Sequence, residues 1–77
     1  MYIKFEWDQN KEQLNKVQHG VSFDEAVSAF SDPNGSVLKD EKHSTKEEER
    51  NYWIGLSEDS RVLTVRFTLR DAVIRIF

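Results

Sequence analysis

"NYWIGLSEDSRVLTVRFTLRDAVIRIF", residues Asn51–Phe77, decides the fold: β-branched and aromatic side chains fill it, and only two short polar interruptions break it. Such a run reads as a three-stranded antiparallel meander. A two-residue turn at Arg70-Asp71 would pair Leu69 with Ala72, Phe67 with Ile74 and Val65 with Ile76 on one apolar face. The opposite face would then pair Thr68 with Val73, Arg66 with Arg75 and Thr64 with Phe77, because successive side chains point to opposite sides. A turn at Asp59-Ser60 would set Leu56 against Leu63 and Ile54 against Val65, leaving Trp53 beside Arg66 on the outer face. A slip of one residue would exchange every face. Two arginines directly across a strand pair repel each other, so this register calls for an anionic partner or a nearby carboxylate. Two readings stand at this point. One is an ordinary solvated sheet face; the other is a nucleic-acid platform on which arginines neutralise phosphates and an indole stacks on a base.

Composition narrows the choice of class. With 77 residues there is room for one domain, and 38% hydrophobic residues, including five Phe and two Trp, supply a core for it. Cysteine is absent, which excludes a disulfide scaffold, a thiolate metal site and a cysteine nucleophile, and fits an intracellular protein. There is neither a charged-then-apolar leader nor a long apolar run, so the expectation is a cytoplasmic chain without a membrane partner. The net charge of −3 gives no bulk signature of nucleic-acid binding. Its distribution does: after Glu49, Arg50, Arg61, Arg66, Arg70 and Arg75 face only Glu58, Asp59 and Asp71.

Upstream, Tyr2–Trp7 alternates like a short strand with Ile3, Phe5 and Trp7 inward. Asp8 is placed to cap a helix from Gln9 to about His19, with Leu14 and Val17 as its apolar stripe and Gly20 as the left-handed stop. Ser22-Phe23-Asp24-Glu25 spells a capping box for a second helix, whose Phe23, Ala26, Val27 and Phe30 repeat at helical spacing. Ser31–Gly35 ends it, Ser36–Lys39 suits a short strand, and the polar run Asp40–Arg50 reads as an exposed loop. The order predicts an α+β domain, an antiparallel sheet with two N-terminal helices packed on one face.

"FEWDQNK" at Phe5–Lys11 and "HGVSFDEAVSAFSDP" at His19–Pro33 resemble the opening of the BrnT toxins of bacterial type II toxin–antitoxin systems. Asn15, "DEKHS" at Asp40–Ser44, "EER" at Glu48–Arg50, then Gly55, Ser57 and Arg75 continue the match across nearly the whole chain. The resemblance implies a RelE-like fold and a cytoplasmic, metal-independent ribonuclease that binds RNA and stops translation. It also implies a partner, a BrnA-type antitoxin with a ribbon-helix-helix domain, through which alone DNA would be bound. Two departures stand out. Gln18 replaces a lysine common in the family, and members usually continue past the last strand into a Ser-Ala-Arg-like stretch and a basic tail. A missing C-terminal segment would bear on whether these 77 residues are active.

Cleavage of RNA by its own 2′-hydroxyl needs a proton acceptor, stabilisation of a pentavalent phosphorane and a proton for the leaving oxygen. His43 is the candidate acid or base, with an idle loop histidine as the alternative. Arg50 and Arg75 are the candidate phosphate ligands, the alternative being ion pairs with Glu47, Glu48 or Glu49. Arg66, Trp53 and Lys39 are candidate RNA contacts. His19 is expected to meet the last carbonyls of its helix, and its spacing from His43 fits no familiar zinc site, so neither a metal nor another cofactor is expected. The competing functional reading is a non-catalytic module that engages an antitoxin.

Overall fold

The alternating apolar pattern becomes a five-stranded sheet in the computed structural model, which describes residues 3–77. In chain order the elements are β1 (Lys4–Trp7), α1 (Gln9–His19), α2 (Phe23–Ala29), β2 (Ser36–Lys39), β3 (Arg50–Leu56), β4 (Val62–Arg70) and β5 (Val73–Ile76). The spatial order is β1-β5-β4-β3-β2. Tyr2, expected to open the first strand, lies outside the described residues.

The sheet is mixed, which corrects the expectation of an antiparallel one. β1 runs parallel to β5, with Phe5 beside Ile74 and Trp7 beside Ile76. The alternation in β1 fixed which side chains face inward, but a period of two carries no direction. The helices joining β1 to the rest of the chain leave it free to lie along β5 in the parallel sense.

Both hairpin registers differ from expectation, in opposite ways. Between β4 and β5 the turn is Asp71-Ala72, not Arg70-Asp71, and both residues are left-handed (φ 51° and 63°). Phe67 therefore opposes Ile76 and Thr68 opposes Arg75, so Arg66 and Arg75 are not cross-strand partners. The slip is even, and each side chain keeps its expected face. Between β3 and β4 the loop is Glu58–Ser60, closed by the Ser57 N–H on the Arg61 carbonyl at 2.7 Å, with Ser60 left-handed (φ 61°). Its odd length shifts the register by one: Trp53 opposes Val65 and Ile54 opposes Thr64. Trp53 thus turns to the core side, and Ile54 to the outer side.

The core contains Phe23 and Ala26 of α2 against Val65, Phe67, Ile74 and Ile76 of the sheet. Phe30 is its aromatic hub, stacked on Trp53 at 5.4 Å and edge-on to Phe67 at 5.2 Å. The Trp53 indole N–H donates to the Ala29 carbonyl at 2.7 Å. Gly35 lies so close over the ring that a Cβ there would overlap it.

Capping works largely as the residue types dictate. Asp8 accepts from the Asn10 N–H at 2.8 Å, Gly20 ends α1 at φ 68°, and Ser22 accepts from the Glu25 N–H at 3.1 Å. The reciprocal half of the capping box is absent, because the Glu25 carboxylate turns into the protein. It accepts from Ser57 Oγ at 2.6 Å and from Arg61 Nε at 3.0 Å, tying α2 to the β3–β4 loop. Arg61 first and Ser57 second hold its pKa below the ordinary glutamate value against the cost of burial.

On α1 the apolar stripe faces water: Leu14 and Val17 are exposed and Glu12 is buried. Glu12 accepts from the Phe23 N–H at 2.9 Å, satisfying a donor that the first turn of α2 cannot pair internally. That need outweighs the small apolar gain from two side chains.

Candidate functional site

The polar run after β2 is built rather than loose. Asp40 continues the sheet, donating its N–H to the Arg50 carbonyl at 2.8 Å, and its carboxylate caps a short 3₁₀ turn, Glu41–His43. Ser44 Oγ lies 2.7 Å from the Asp40 carbonyl and accepts from the Arg50 N–H at 3.0 Å, pinning the two ends of the loop together. Thr45 and Glu48 close the remainder through a backbone bond of 2.8 Å. Side-chain hydroxyls and carboxylates, not apolar anchors, hold this segment.

That turn brings the His43 ring back onto Asp40, with Nδ1 2.9 Å from Oδ2. Arg66, from β4, places Nη2 3.2 Å from the same oxygen and 3.3 Å from His43 Nδ1. The Asp40 side chain is 7% exposed, the His43 side chain 46%. Burial alone would raise the Asp40 pKa, but hydrogen bonds from His43, Tyr52 and Arg66 together outweigh it and hold the carboxyl below its ordinary value. An ionised carboxylate only accepts, so the 2.9 Å contact puts the ring proton on Nδ1. In the neutral ring the lone pair is then on Nε2.

Across the outer face the registers set two rows. Glu6, Arg75, Thr68 and Arg50 follow one another from β1 to β3. Arg66, Tyr52 and Leu38 form the next row, with the Arg66 guanidinium 5.5 Å from the Tyr52 ring centroid. Arg75 donates to Glu6 at 2.9 Å and Arg50 Nε donates to Glu48 at 2.8 Å; both pairs are exposed. Arg50 also lies over the Phe77 ring at 4.5 Å.

The structure therefore joins His43 and Arg66 through the Asp40 carboxylate and places Arg50, Arg66 and Arg75 on one face. It removes Trp53 from that face: one side of its ring is stacked on Phe30 and Gly35 covers it, so no base can stack there. Lys39 opposes Asn51, whose own partner is Phe67, and so belongs to the helix-side face rather than with the arginines. His19 lines a groove beside β4, away from the expected role at the helix end, where the Gly20 N–H meets the Lys16 carbonyl. Sequence reasoning matched Asp40 to the family's motif but gave it no role in the site, and it did not single out Tyr52. The usable sign was the Asp40–His43 spacing, since an aspartate that caps a turn is positioned to receive the side chain three residues on.

An antiparallel core sheet extended by one parallel edge strand, covered by a short helix, with a histidine–carboxylate–arginine cluster on its open face, defines a small α+β protein whose polar outer face pairs three arginines with carboxylates. The chain belongs to the BrnT family: residues 7–77 match the model described as the ribonuclease toxin, BrnT, of type II toxin–antitoxin systems. A comparison with curated proteins gave no match. Membership makes this a ribonuclease-toxin family chain with an antitoxin partner. Among the described residues, no helix is long and apolar enough to cross a membrane.

Proposed function

We propose that this chain is a RelE-like, metal-independent endoribonuclease that arrests translation in the bacterial cytoplasm and is neutralised by a BrnA-type, ribbon-helix-helix antitoxin. The observation that carries the reading is the Asp40–His43–Arg66 cluster on the outer face of a chain in this family. His43 Nε2 accepts the proton of the RNA 2′-hydroxyl as its oxygen attacks the adjacent phosphorus. Asp40 fixes the tautomer and steadies the imidazolium that forms. Arg66, with Arg50 and Arg75, stabilises the charge that builds on the phosphorane oxygens, a role that suits a planar guanidinium with paired donors. The Arg50–Glu48 and Arg75–Glu6 pairs are exposed, worth little in water, and readily exchanged for phosphate contacts. The bond from phosphorus to the 5′-oxygen breaks, and that oxygen takes a proton from an acid or from water.

Two measurements test this reading. Inducible expression should arrest growth, and co-expression of the antitoxin should relieve the arrest. The purified full chain should cleave RNA with a chelator present. Antitoxin binding without cleavage would replace the enzyme by the non-catalytic interaction module; cleavage lost on chelation would end metal independence.

A further inference from the structure

The outer face carries a second concavity beside the candidate site. It has a volume of about 350 Å³ and opens between β1, the Asp71-Ala72 turn and Glu48. Thr68, 7% exposed, lies at its floor, and its walls hold the carboxylates of Glu6, Glu48 and Asp71 and the guanidiniums of Arg70 and Arg75. Two of the carboxylates are engaged, Glu6 by Arg75 and Glu48 by Arg50. Asp71 and Arg70 differ from these: both are exposed, and among the described residues neither side chain is in an ion pair. With Arg50 at the rim, carboxylates and guanidiniums balance, so the pocket does not turn away an anionic backbone.

A free carboxylate beside a free guanidinium selects a ligand by its pattern of donors and acceptors. The carboxylate accepts two N–H groups, and the guanidinium offers two parallel donors. Guanine alone among the RNA bases carries two adjacent donors on its pairing edge, N1–H and the 2-amino group. Its O6 and N7 form the acceptor pair that an arginine meets in bidentate fashion. Adenine and cytosine set a bare ring nitrogen beside their one amino group, which would oppose the carboxylate lone pair to lone pair. Uracil has a single N–H between two carbonyls. Position agrees with chemistry: Thr68 follows Arg66 by two residues on the same face, about 7 Å along β4 and about the span of one nucleotide.

We propose that this pocket binds a guanine flanking the scissile phosphate, with Asp71 accepting from N1–H and the 2-amino group and Arg70 donating to O6 and N7. The turn that holds Asp71 left-handed, at φ 51°, keeps its carboxylate at the pocket wall. The inference deepens the ribonuclease reading, on which it rests, by naming the base beside which the chain would cut.

The test is equilibrium binding of the full chain to short 2′-O-methylated oligouridylates, which cannot be cleaved, carrying at one position guanine, adenine, cytosine or hypoxanthine. The guanine oligomer should bind at least tenfold more tightly than the adenine, cytosine and all-uracil ones, and hypoxanthine, which lacks the 2-amino group, should lose at least threefold. Asp71→Asn should abolish the preference for guanine and leave the all-uracil oligomer unaffected; asparagine tolerates the left-handed conformation as aspartate does, so the turn is kept. Arg70→Lys, which keeps the charge and loses the fork, should reduce the preference at least threefold. Equal binding of all the oligomers, a preference for another base, a guanine preference that survives Asp71→Asn, or no binding at all would each overturn the proposal. Cleavage enters none of these readouts: an inactive chain that still prefers guanine would end the ribonuclease reading alone, and an active chain without the preference would end this inference alone.

Discussion

β4 is shared by two hairpins that turn in different ways. Toward β3 the loop is the three residues Glu58–Ser60 with its last residue left-handed; toward β5 it is the pair Asp71-Ala72, both left-handed. Each is a recognised solution for reversing a twisted strand. Their parity differs, and parity decides which side chains of the partner strand reach the core. In the first hairpin it turns Trp53 inward and leaves Tyr52 beside Arg66; in the second it puts Ile74 and Ile76 inward and Arg75 out beside Thr68. Loop length, more than strand composition, sorts this sheet into an apolar, aromatic-rich face and one that carries the arginines and their carboxylate partners.

The largest effect should come from the strand both hairpins share. Phe67 is 7% exposed and edge-on to Phe30. Phe67→Ala should cost about 3–5 kcal/mol in denaturant unfolding. A loss under about 1 kcal/mol would mean that the helix-side face is not the core.

Next in size is a probe of the first hairpin alone. Gly35→Ala forces a methyl into the Trp53 ring, which is held by Phe30 and by its bond to Ala29. The expected cost is about 1–3 kcal/mol, as for overpacking generally. An unchanged midpoint would imply that Trp53 sits elsewhere and that the odd register is wrong.

The smallest effect should belong to the second hairpin, and it has the opposite sign. Ala72 holds φ 63°, where a Cβ is strained and glycine is not. Ala72→Gly should stabilise by up to about 1 kcal/mol once the extra freedom of the unfolded glycine is offset. If it destabilises instead, the two-residue turn is misplaced.

These registers mark the limit of what could be read from the residues. Alternation in Asn51–Phe77, the Asp8 and Ser22 caps and the Gly20 stop gave the elements, because each rests on local chemistry. Turn positions did not follow: polar pairs such as Arg70-Asp71 and Asp59-Ser60 suit a turn as well as their neighbours do, and the sheet as a whole selects the register. An even error left Arg66 and Arg75 on the outer face. The odd one misplaced Trp53 as a stacking platform and hid Tyr52. Asp40 was passed over because a polar run reads as solvated loop, whereas its burial arises from three partners distant in sequence or folded back by the turn.

Acid should separate the two carboxylate clusters from the apolar core. The pKa values of Glu25 and Asp40 are both lowered in the folded protein, Glu25 mainly by Arg61, Asp40 by His43, Tyr52 and Arg66 acting against burial. Their contribution is present above the ordinary carboxylate range near pH 4 and is lost as pH falls through the lowered values. Unfolding midpoints should therefore drop on acidification below about pH 4. In Glu25→Gln that drop should be smaller; an identical slope would show that Glu25 carries none of it.

The central claim is that the outer face works through His43. Single-turnover RNA cleavage by the full chain and by His43→Ala, compared across pH, tests it most directly. Loss of the ring's bond to Asp40 should lower the unfolding midpoint somewhat, while Tyr52 and Arg66 still hold that carboxylate; the folded variant should cleave about 10²–10⁴-fold more slowly and with a changed pH profile. An unchanged rate and pH profile in a folded His43→Ala would contradict the account and leave the histidine as a loop residue beside Asp40.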